Sequence, residues 1–432
     1  MSQATPRGSR SLRVHPDYIA RVKSAVRQSG FPRQKDLVEE VELAFSTVSN
    51  FLNGKPVDFV NFVEICDKLS LDWRQIYDRS FETGTSELAV LTNGEAFHSL
   101  DVDQNFMYVK RPQIEQQCDE ELQRPGSLIR IKAPHLMGKT SLIAKVLNQA
   151  KKRGYRTAYL TLQMANAENF EDLAQLLKWL CASVSQALDL PNRIKEFWDE
   201  EFCTINANCI DYFEKYLLTQ ANSPLVLCLD EVERVFPHSR VAADFLGLLR
   251  AWHEMAKPRP IWQQLRLIIA YSTEMYVPLK VNESPFNVGL EIDLPEFTFE
   301  QVQSFAQQHG LTWTDTQIEQ LMDMLGGHPY LVEQAFAYLK TPTNSSLEQF
   351  LQIASTDSSI YGKHLRRLWI AIQKNRELIE PLETMVQSSN PVQLGDKQIR
   401  QLYQLGLVHQ KEDSIMPRCR LYRQYFANRL GG

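Results

Sequence analysis

The chain has 432 residues, room for about two to four domains, and its 44% hydrophobic and 23% charged content is that of a globular protein that buries substantial cores. Lys and Arg number 47 against 52 Asp and Glu, a net charge of −5, which excludes a whole-molecule field drawing the protein to nucleic acid or an anionic membrane. No run of about 18 apolar residues occurs, and the Arg-rich Met1 to Arg13 has no apolar stretch of the secretory kind, so no membrane partner and a cytoplasmic location are expected.

The basic residues concentrate at the ends: residues 1–30 hold six Lys/Arg against one Asp, and residues 361–432 hold twelve against six acids. Seven cysteines (Cys66, Cys118, Cys181, Cys203, Cys209, Cys228 and Cys419) are odd in number and form no CxxC pair. Buried reduced thiols are expected, and neither a disulfide framework nor a zinc site is supported.

Residues 1–13 read as a mobile basic arm. From 14 to 80 short helical patterns alternate with tight breaks. Leu37, Val38 and Val41 share one face of a first helix and Val48, Phe51 and Leu52 one face of a second, with a turn near Leu43 to Phe45 between them and Ser46 placed as a cap. Asn53-Gly54 ends the second helix, and Phe59 to Leu69 supplies another. This all-α pattern resembles the helix-turn-helix of phage repressors, in which Gln34, Ser46, Thr47 and Asn50 would face the major groove of double-stranded DNA. Residues 31–77, however, hold five basic against eight acidic residues, whereas duplex affinity comes mainly from Lys and Arg on phosphates. A DNA reader and a protein-interaction adaptor both stay open. Residues 81–104 lose the helical rhythm and read as a linker.

Met107-Tyr108-Val109-Lys110-Arg111-Pro112 and the amphipathic run Ile114 to Leu122 come about 25 residues ahead of a candidate phosphate loop. Tyr108 and Arg111 are candidate contacts to a nucleotide base, with Tyr108 as sheet-edge cover the plainer alternative. Next, Leu128-Ile129-Arg130-Ile131 reads as a buried strand, Ala133-Pro134-His135-Leu136-Met137-Gly138-Lys139-Thr140 as a tight loop, and Ser141 to Leu147 as a helix. Phosphate binding requires that order. Gly138 lets the backbone N–H groups face the phosphates, and the helix N-terminus points at the same anion. Lys139 would reach the β- and γ-phosphates of ATP, or the β-phosphate of ADP, with Ser141 beside it, and Thr140 would hold Mg²⁺. The pattern GxxxxGK[ST] has Gly where this chain has Ala133, so the loop must close there without a residue free to take φ > 0.

Arg156 to Leu162 is a second strand, followed by helices over Phe170 to Leu188 and Ile210 to Leu218. The apolar run Leu225 to Leu229 ending in Asp230-Glu231 has the Walker B pattern and arrives about 90 residues after the loop. Asp230 would hold the Mg²⁺ shell, and Glu231 would orient and deprotonate the attacking water; Glu233 is expected to be a surface acid. After a helix over Val241 to Lys257, Leu265 to Thr273 is a further buried strand, and Ser272 or Thr273 at its end is placed to sense the γ-phosphate. Alternating strands and helices predict an α/β P-loop NTPase core over residues 105–295, a parallel sheet covered on both faces with its ligand at the carboxyl edge.

Residues 296–356 read as a helical lid: Phe297 to His309, Thr314 to Leu325 and, after Gly326-Gly327-His328, a helix opened by Pro329 and running to Leu339. His328 and Pro329 either reach toward the phosphates or form a structural turn. Residues 357–432 read as two helices, a third over Lys397 to Leu405, a hairpin through Leu407 to Gln410 and Ser414 to Arg418, and a last helix, the layout of a winged helix.

Together these motifs resemble the cyanobacterial AAA-like ATPases of the STAND signalling class, preceded by the helix-turn-helix module of von Willebrand A/MoxR-associated proteins. The resemblance is carried by Tyr108 to Pro112, Ala133 to Thr140, Leu229-Asp230-Glu231-Val232, Ser284-Pro285-Phe286-Asn287-Val288-Gly289 and Gly326 to Val332. It implies a nucleotide-switched regulator that binds ATP, slowly hydrolyses it and reorders its winged-helix lid, with output through the N-terminal module or a protein partner or effector in trans. Two other classes fit the same motifs. One is a DNA-binding transcription regulator whose nucleotide domain senses without turnover. The other is an AAA+-type DNA-loading or remodelling ATPase, a nucleotide-dependent homo-oligomer in which Arg234, Arg240 or Arg250 reaches a neighbour's γ-phosphate, a contribution of roughly 10³–10⁵ in rate.

For the N-terminal module, the fragment 14–80 is expected to bind duplex DNA with salt-sensitive affinity in a fluorescence-anisotropy titration. A flat titration at low salt assigns the module to protein partners instead.

Overall fold

The computed structural model describes residues 11–15, 18–28, 31, 34–41, 45–55, 57–69, 71, 76, 107–220, 222–273, 285–341, 346–411 and 414–430. The chain divides into two units, Met1–Asn93 and Gly94–Gly432. The expected linker 81–104, Ser284 and the turn residues 42–44 lie outside the described residues.

In the first unit, helices α1 (Ile19–Gln28), α2 (Gln34–Val41), α3 (Phe45–Leu52) and α4 (Phe59–Lys68) share one core. Leu37 and Val41 on α2 and Val48, Phe51 and Leu52 on α3 are buried, and Phe51 meets Phe62 edge to face at 4.9 Å. Val38 is half-buried. Two expectations change here. The unit is not all-α, because β1 (Ser11–Leu12) pairs antiparallel with β2 (Val57–Asp58), so the end of the expected basic arm is a strand. Val14 and Val57 are buried beside this pairing, and backbone drawn toward a core finds its hydrogen-bond partners in a second strand. Ser46 lies inside α3, which starts at Phe45, and is therefore not its cap. Of the candidate groove residues, Thr47 and Asn50 are half-buried on α3, while the side chains of Gln34 and Ser46 lie outside the described residues.

The second unit is built on β3 (Leu128–Ala133), β4 (Arg156–Thr161), β5 (Leu225–Asp230), β6 (Leu265–Ser272) and β7 (Leu290–Asp293), a five-stranded parallel sheet in the order β4-β5-β6-β3-β7. Strand side chains alternate between faces. On β5, Leu225, Leu227 and Leu229 enter one core with α7 (Leu173–Ala187), α8 (Ile205–Tyr212) and α9 (Ser239–Met255). Val226 and Cys228 enter the opposite core with α5 (Pro112–Gln123) and α6 (Lys139–Lys152). Burial on both faces is why these strands read as unbroken apolar runs. β7 has no such run, since only Ile292 of Leu-Glu-Ile-Asp is buried, and its sequence therefore gives little strand signal. Helix ends also shift: Asp172 caps α7 by accepting the Ala174 N–H at 2.8 Å, so Phe170 precedes that helix.

A third core joins α10 (Phe299–Gln308), α11 (Asp315–Leu325), α12 (Pro329–Leu339), α13 (Leu347–Ile353), α14 (Gly362–Lys374), α15 (Ile379–Gln387), α16 (Asp396–Gln404) and α17 (Arg420–Leu430). Between α16 and α17, β8 (Val408–Lys411) and β9 (Ser414–Pro417) form an antiparallel hairpin, and Val392 adds a single bridge to Ile415. A capping box of Thr298 and Gln301 starts α10 one residue past Phe297. Among the described residues no helix is long and apolar enough to cross a membrane. Six of the cysteines are buried and Cys203 is exposed, correcting the expectation that all seven are buried.

The Gly326-Gly327 turn is held against the entry to this region: Phe297 N–H donates to Gly327 O at 2.8 Å. A Cβ on Gly327 would lie 2.0 Å from Phe297 O, a backbone atom that cannot swing aside. Gly327→Ala is expected to destabilise the second unit by about 1–3 kcal/mol through overpacking, read as a lower denaturant midpoint of the full-length chain.

Candidate functional site

β3 carries the chain to the carboxyl edge of the sheet, where Ala133 is still in register with Ser272 of β6 and fully buried. The loop does not depart from regular backbone at Ala133, because an extended strand residue needs no positive φ. The left-handed positions are Leu136, at φ 64°, and Gly138, at φ 89°. Gly138 is the N-cap of α6 and no side chain caps that helix. A helix N-terminus without a side-chain cap favours an anion at its first turn.

Lys139 is buried and donates from Nζ to Ala133 O and Pro134 O, both at 2.9 Å. Its ammonium thus rests on carbonyls of the loop itself. Thr140 Oγ1 donates to Asp230 Oδ2 at 3.1 Å, joining the start of α6 to the end of β5. The same oxygen accepts from Tyr159 OH at 3.0 Å, and Asp230 Oδ1 accepts from the Glu231 N–H at 2.8 Å. Glu231 sits in left-handed backbone at φ 55°. Burial first, and then the Asp230 and Glu233 carboxylates, push its pKa above the ordinary carboxylate range.

A cavity of about 320 Å³ opens over this edge. Its polar wall holds His135, Gly138, Lys139, Thr140, Ser141, Asp230 and Glu231, and its other wall holds Tyr108, Val109, Arg111, Phe297, Phe305, Pro329 and Tyr330. Glu233 and Glu333 also line it, so donors, carboxylates and aromatic rings all face one cavity. The stretch that carries this edge, residues 98–428, matches the AAA-like domain family. The chain belongs to this AAA-like family.

Among solved structures it is similar to a Walker-type ATPase of Pyrococcus abyssi, at 14% identity and a TM-score of 0.52, with 74% of this chain and 96% of that one covered. That likeness is one of fold. Matches also include the ORC2 protein of Aeropyrum pernix, at 17% identity, TM-score 0.43 and 76% and 98% coverage. A signal-transduction ATPase with a tetratricopeptide repeat sensor from Pyrococcus horikoshii matches at 16% identity and TM-score 0.35, with 74% of this chain and 42% of that one covered. Comparison with curated proteins yields no match.

Several residues of this AAA-like domain lie where the sequence pattern did not put them. Glu233 is no surface acid: it is 5% exposed, lines the cavity and leaves Oε2 without a partner. Burial, the largest cause, raises its pKa. It sits in the 3-10 turn Val232–Val235, which buries it together with Val232 and Val235. Ser272 and Thr273 reach the right edge but not the cavity wall, and Thr273 Oγ1 is buried without a partner. His328 does not point toward the phosphates. It is 3% exposed, with its ring 6.4 Å from that of His364, and burial with Arg418 nearby lowers its pKa to about 3. The turn that buries His328 brings Pro329 and Tyr330 to the cavity instead.

Arg111 is buried, donates to Pro295 O at 2.6 Å and to Met137 O at 3.4 Å, and lies 4.8 Å from the Phe297 ring. It therefore ties the loop at Met137 to the Pro295–Phe297 segment. Burial, then the Glu115 carboxylate, holds the Tyr108 phenol well above its ordinary range. His135 is kept neutral, with a pKa lowered to about 4 by burial, Lys139 and Arg367. Of the three candidate trans arginines, Arg250 is engaged with Glu254 at 2.9 Å, while Arg234 and Arg240 are exposed.

The chain's last segment also reaches the loop. Arg418 Nη1 lies 3.5 Å from both Met137 Sδ and Glu296 Oε1. Gly406, just after α16, is so close that a Cβ there would sit 3.3 Å from Pro134 Cβ.

Left-handed backbone at Leu136 makes this position sensitive to side-chain shape. Leu136→Val is expected to destabilise the second unit by about 1–3 kcal/mol, since a β-branched residue at φ > 0 is a true outlier, whereas Leu136→Gly is tolerated. Denaturant midpoints of the two variants check the order.

Proposed function

We propose that this chain binds ATP and ADP with Mg²⁺ and works as a slowly hydrolysing nucleotide switch of the STAND type. The observation that carries this reading is the contact of Gly406 and Arg418 with Pro134 and Met137, because it joins the conformation of the phosphate loop to that of the C-terminal segment. A loop that must re-form around phosphates necessarily changes what packs on it.

The residues present fit the ligand. The cavity, about 320 Å³, is within the range of small-molecule sites. Gly138 takes the left-handed turn and the first turn of α6 is uncapped. Lys139 would exchange the carbonyls of Ala133 and Pro134 for β- and γ-phosphate oxygens. Thr140 and Asp230 offer oxygen donors only, as a hard divalent cation requires. Magnesium, when bound, would neutralise charge developing on the phosphates. Glu231, made more basic by burial and its acidic neighbours, would orient and deprotonate the attacking water. Tyr108, Phe297, Phe305 and Tyr330 would enclose the base.

The helices α14 to α16 with the β8–β9 hairpin are read as a winged helix that senses the loop, and α1 to α4 as a helix-turn-helix that passes the state to a protein partner, an effector in trans or DNA. Change at the loop would reach the C-terminal segment through Arg418, which touches both Met137 and Glu296.

Lys139→Ala is expected to weaken ATP binding by at least about tenfold, the loss of one charge-assisted contact worth roughly 1.5–3 kcal/mol, measured by calorimetry. Unchanged affinity would overturn the reading. Glu231→Gln is expected to keep ATP affinity and lose phosphate release in a steady-state assay; wild-type turnover in that variant would remove Glu231 from its role.

A further inference from the structure

We infer that Tyr159 is a positioning residue for the metal-binding carboxylate of Asp230, and that it sets how tightly the site takes up a divalent cation. The inference deepens the nucleotide reading above and rests on it.

Tyr159 lies on β4, the edge strand of the sheet, in register with Cys228 of β5, two residues before Thr161 pairs with Asp230. Its hydroxyl donates to Asp230 Oδ2 at 3.0 Å. That oxygen also accepts from Thr140 Oγ1 at 3.1 Å, and Oδ1 accepts from the Glu231 N–H at 2.8 Å. The carboxylate is therefore held from three segments: the edge strand, the start of α6 and the Walker B turn. An ionised carboxylate offers about four lone-pair positions. These three donors leave about one for the cation or a water bound to it, and fix its direction.

The three donors are not equivalent. Thr140 is itself an expected metal ligand, so its hydroxyl turns a lone pair toward the cation when one arrives. The Glu231 N–H is backbone in a left-handed turn and moves with that turn. Tyr159 is the donor that neither binds the cation nor belongs to the loop; it is absent from the cavity wall and acts through Asp230 alone. Outer-sphere partners of this kind are worth roughly 10- to 100-fold in metal affinity.

The test uses the full chain and its Tyr159→Phe variant, which keeps the ring and removes only the donor. Affinity for a non-hydrolysable ATP analogue is measured by calorimetry across a Mg²⁺ titration and again in EDTA, with a thermal melt of each protein. The expected result is a Mg²⁺ midpoint raised about 10- to 100-fold, with the EDTA affinity and the melt unchanged. An unchanged Mg²⁺ midpoint overturns the assignment, and so does an equal loss of affinity with and without Mg²⁺, which would mark a packing role. A wild-type chain that binds the analogue in neither condition overturns the nucleotide reading and this assignment with it; a wild type that binds equally well in both overturns the assignment alone.

Discussion

The candidate site depends on where β6 is inserted. Its parallel pairing with β3 on one side and β5 on the other places the ends of the loop strand and the acidic strand on the same edge, with Ser272 opposite Ala133. That spacing lets Thr140 at the start of α6 reach Asp230 at 3.1 Å across the end of β6. No local propensity brings these two residues together. Burial of both sheet faces holds the strands in register, because a one-residue slip would send Leu225, Leu227 and Leu229 into the wrong core.

At that edge charge is unbalanced. Asp230, Glu231 and Glu233 crowd one corner, and Lys139, the nearest cation in the loop, is turned onto carbonyls rather than carboxylates. Burial first, and the neighbouring carboxylates after it, raise the pKa values of Glu231 and Glu233. Backbone strain accumulates in the same place: Leu136 and Glu231, both lining the cavity, adopt left-handed φ. Strain and shifted carboxylates of this kind cluster in folded chains at functional sites.

The lid region follows a different constraint, close approach. Gly327 lies directly against the backbone of Phe297, so the turn that ends α11 and the residue that leads into α10 move as one piece. This piece carries Phe297, Pro329 and Tyr330 on the cavity wall and turns His328 inward. A histidine beside a proline at a helix start looks like a phosphate contact in sequence, but its direction is set by the packing of the turn, which sequence spacing does not encode.

Much of the chemistry was legible in the residues alone. Loop, Walker B acid and the strands that carry them are contiguous stretches whose apolar runs and helical spacing follow from local geometry, and the helix and hairpin order of residues 357–432 is equally local. What lay beyond the sequence is what depends on contacts between distant segments. Tyr159 meets Asp230 across 71 positions, and Arg418 meets Met137 across 281. β7 is too short and too exposed to announce itself, Glu233 is buried in the 3-10 turn after β5, and the loop turns left-handed at Leu136 as well as Gly138 while pairing with β6 keeps Ala133 in the strand. The sequence by itself determined which residues carry the phosphate-loop and Walker B patterns, since those patterns need particular atoms in a particular order. Only the tertiary structure decided which side chains orient them, because orientation is a property of neighbours in space.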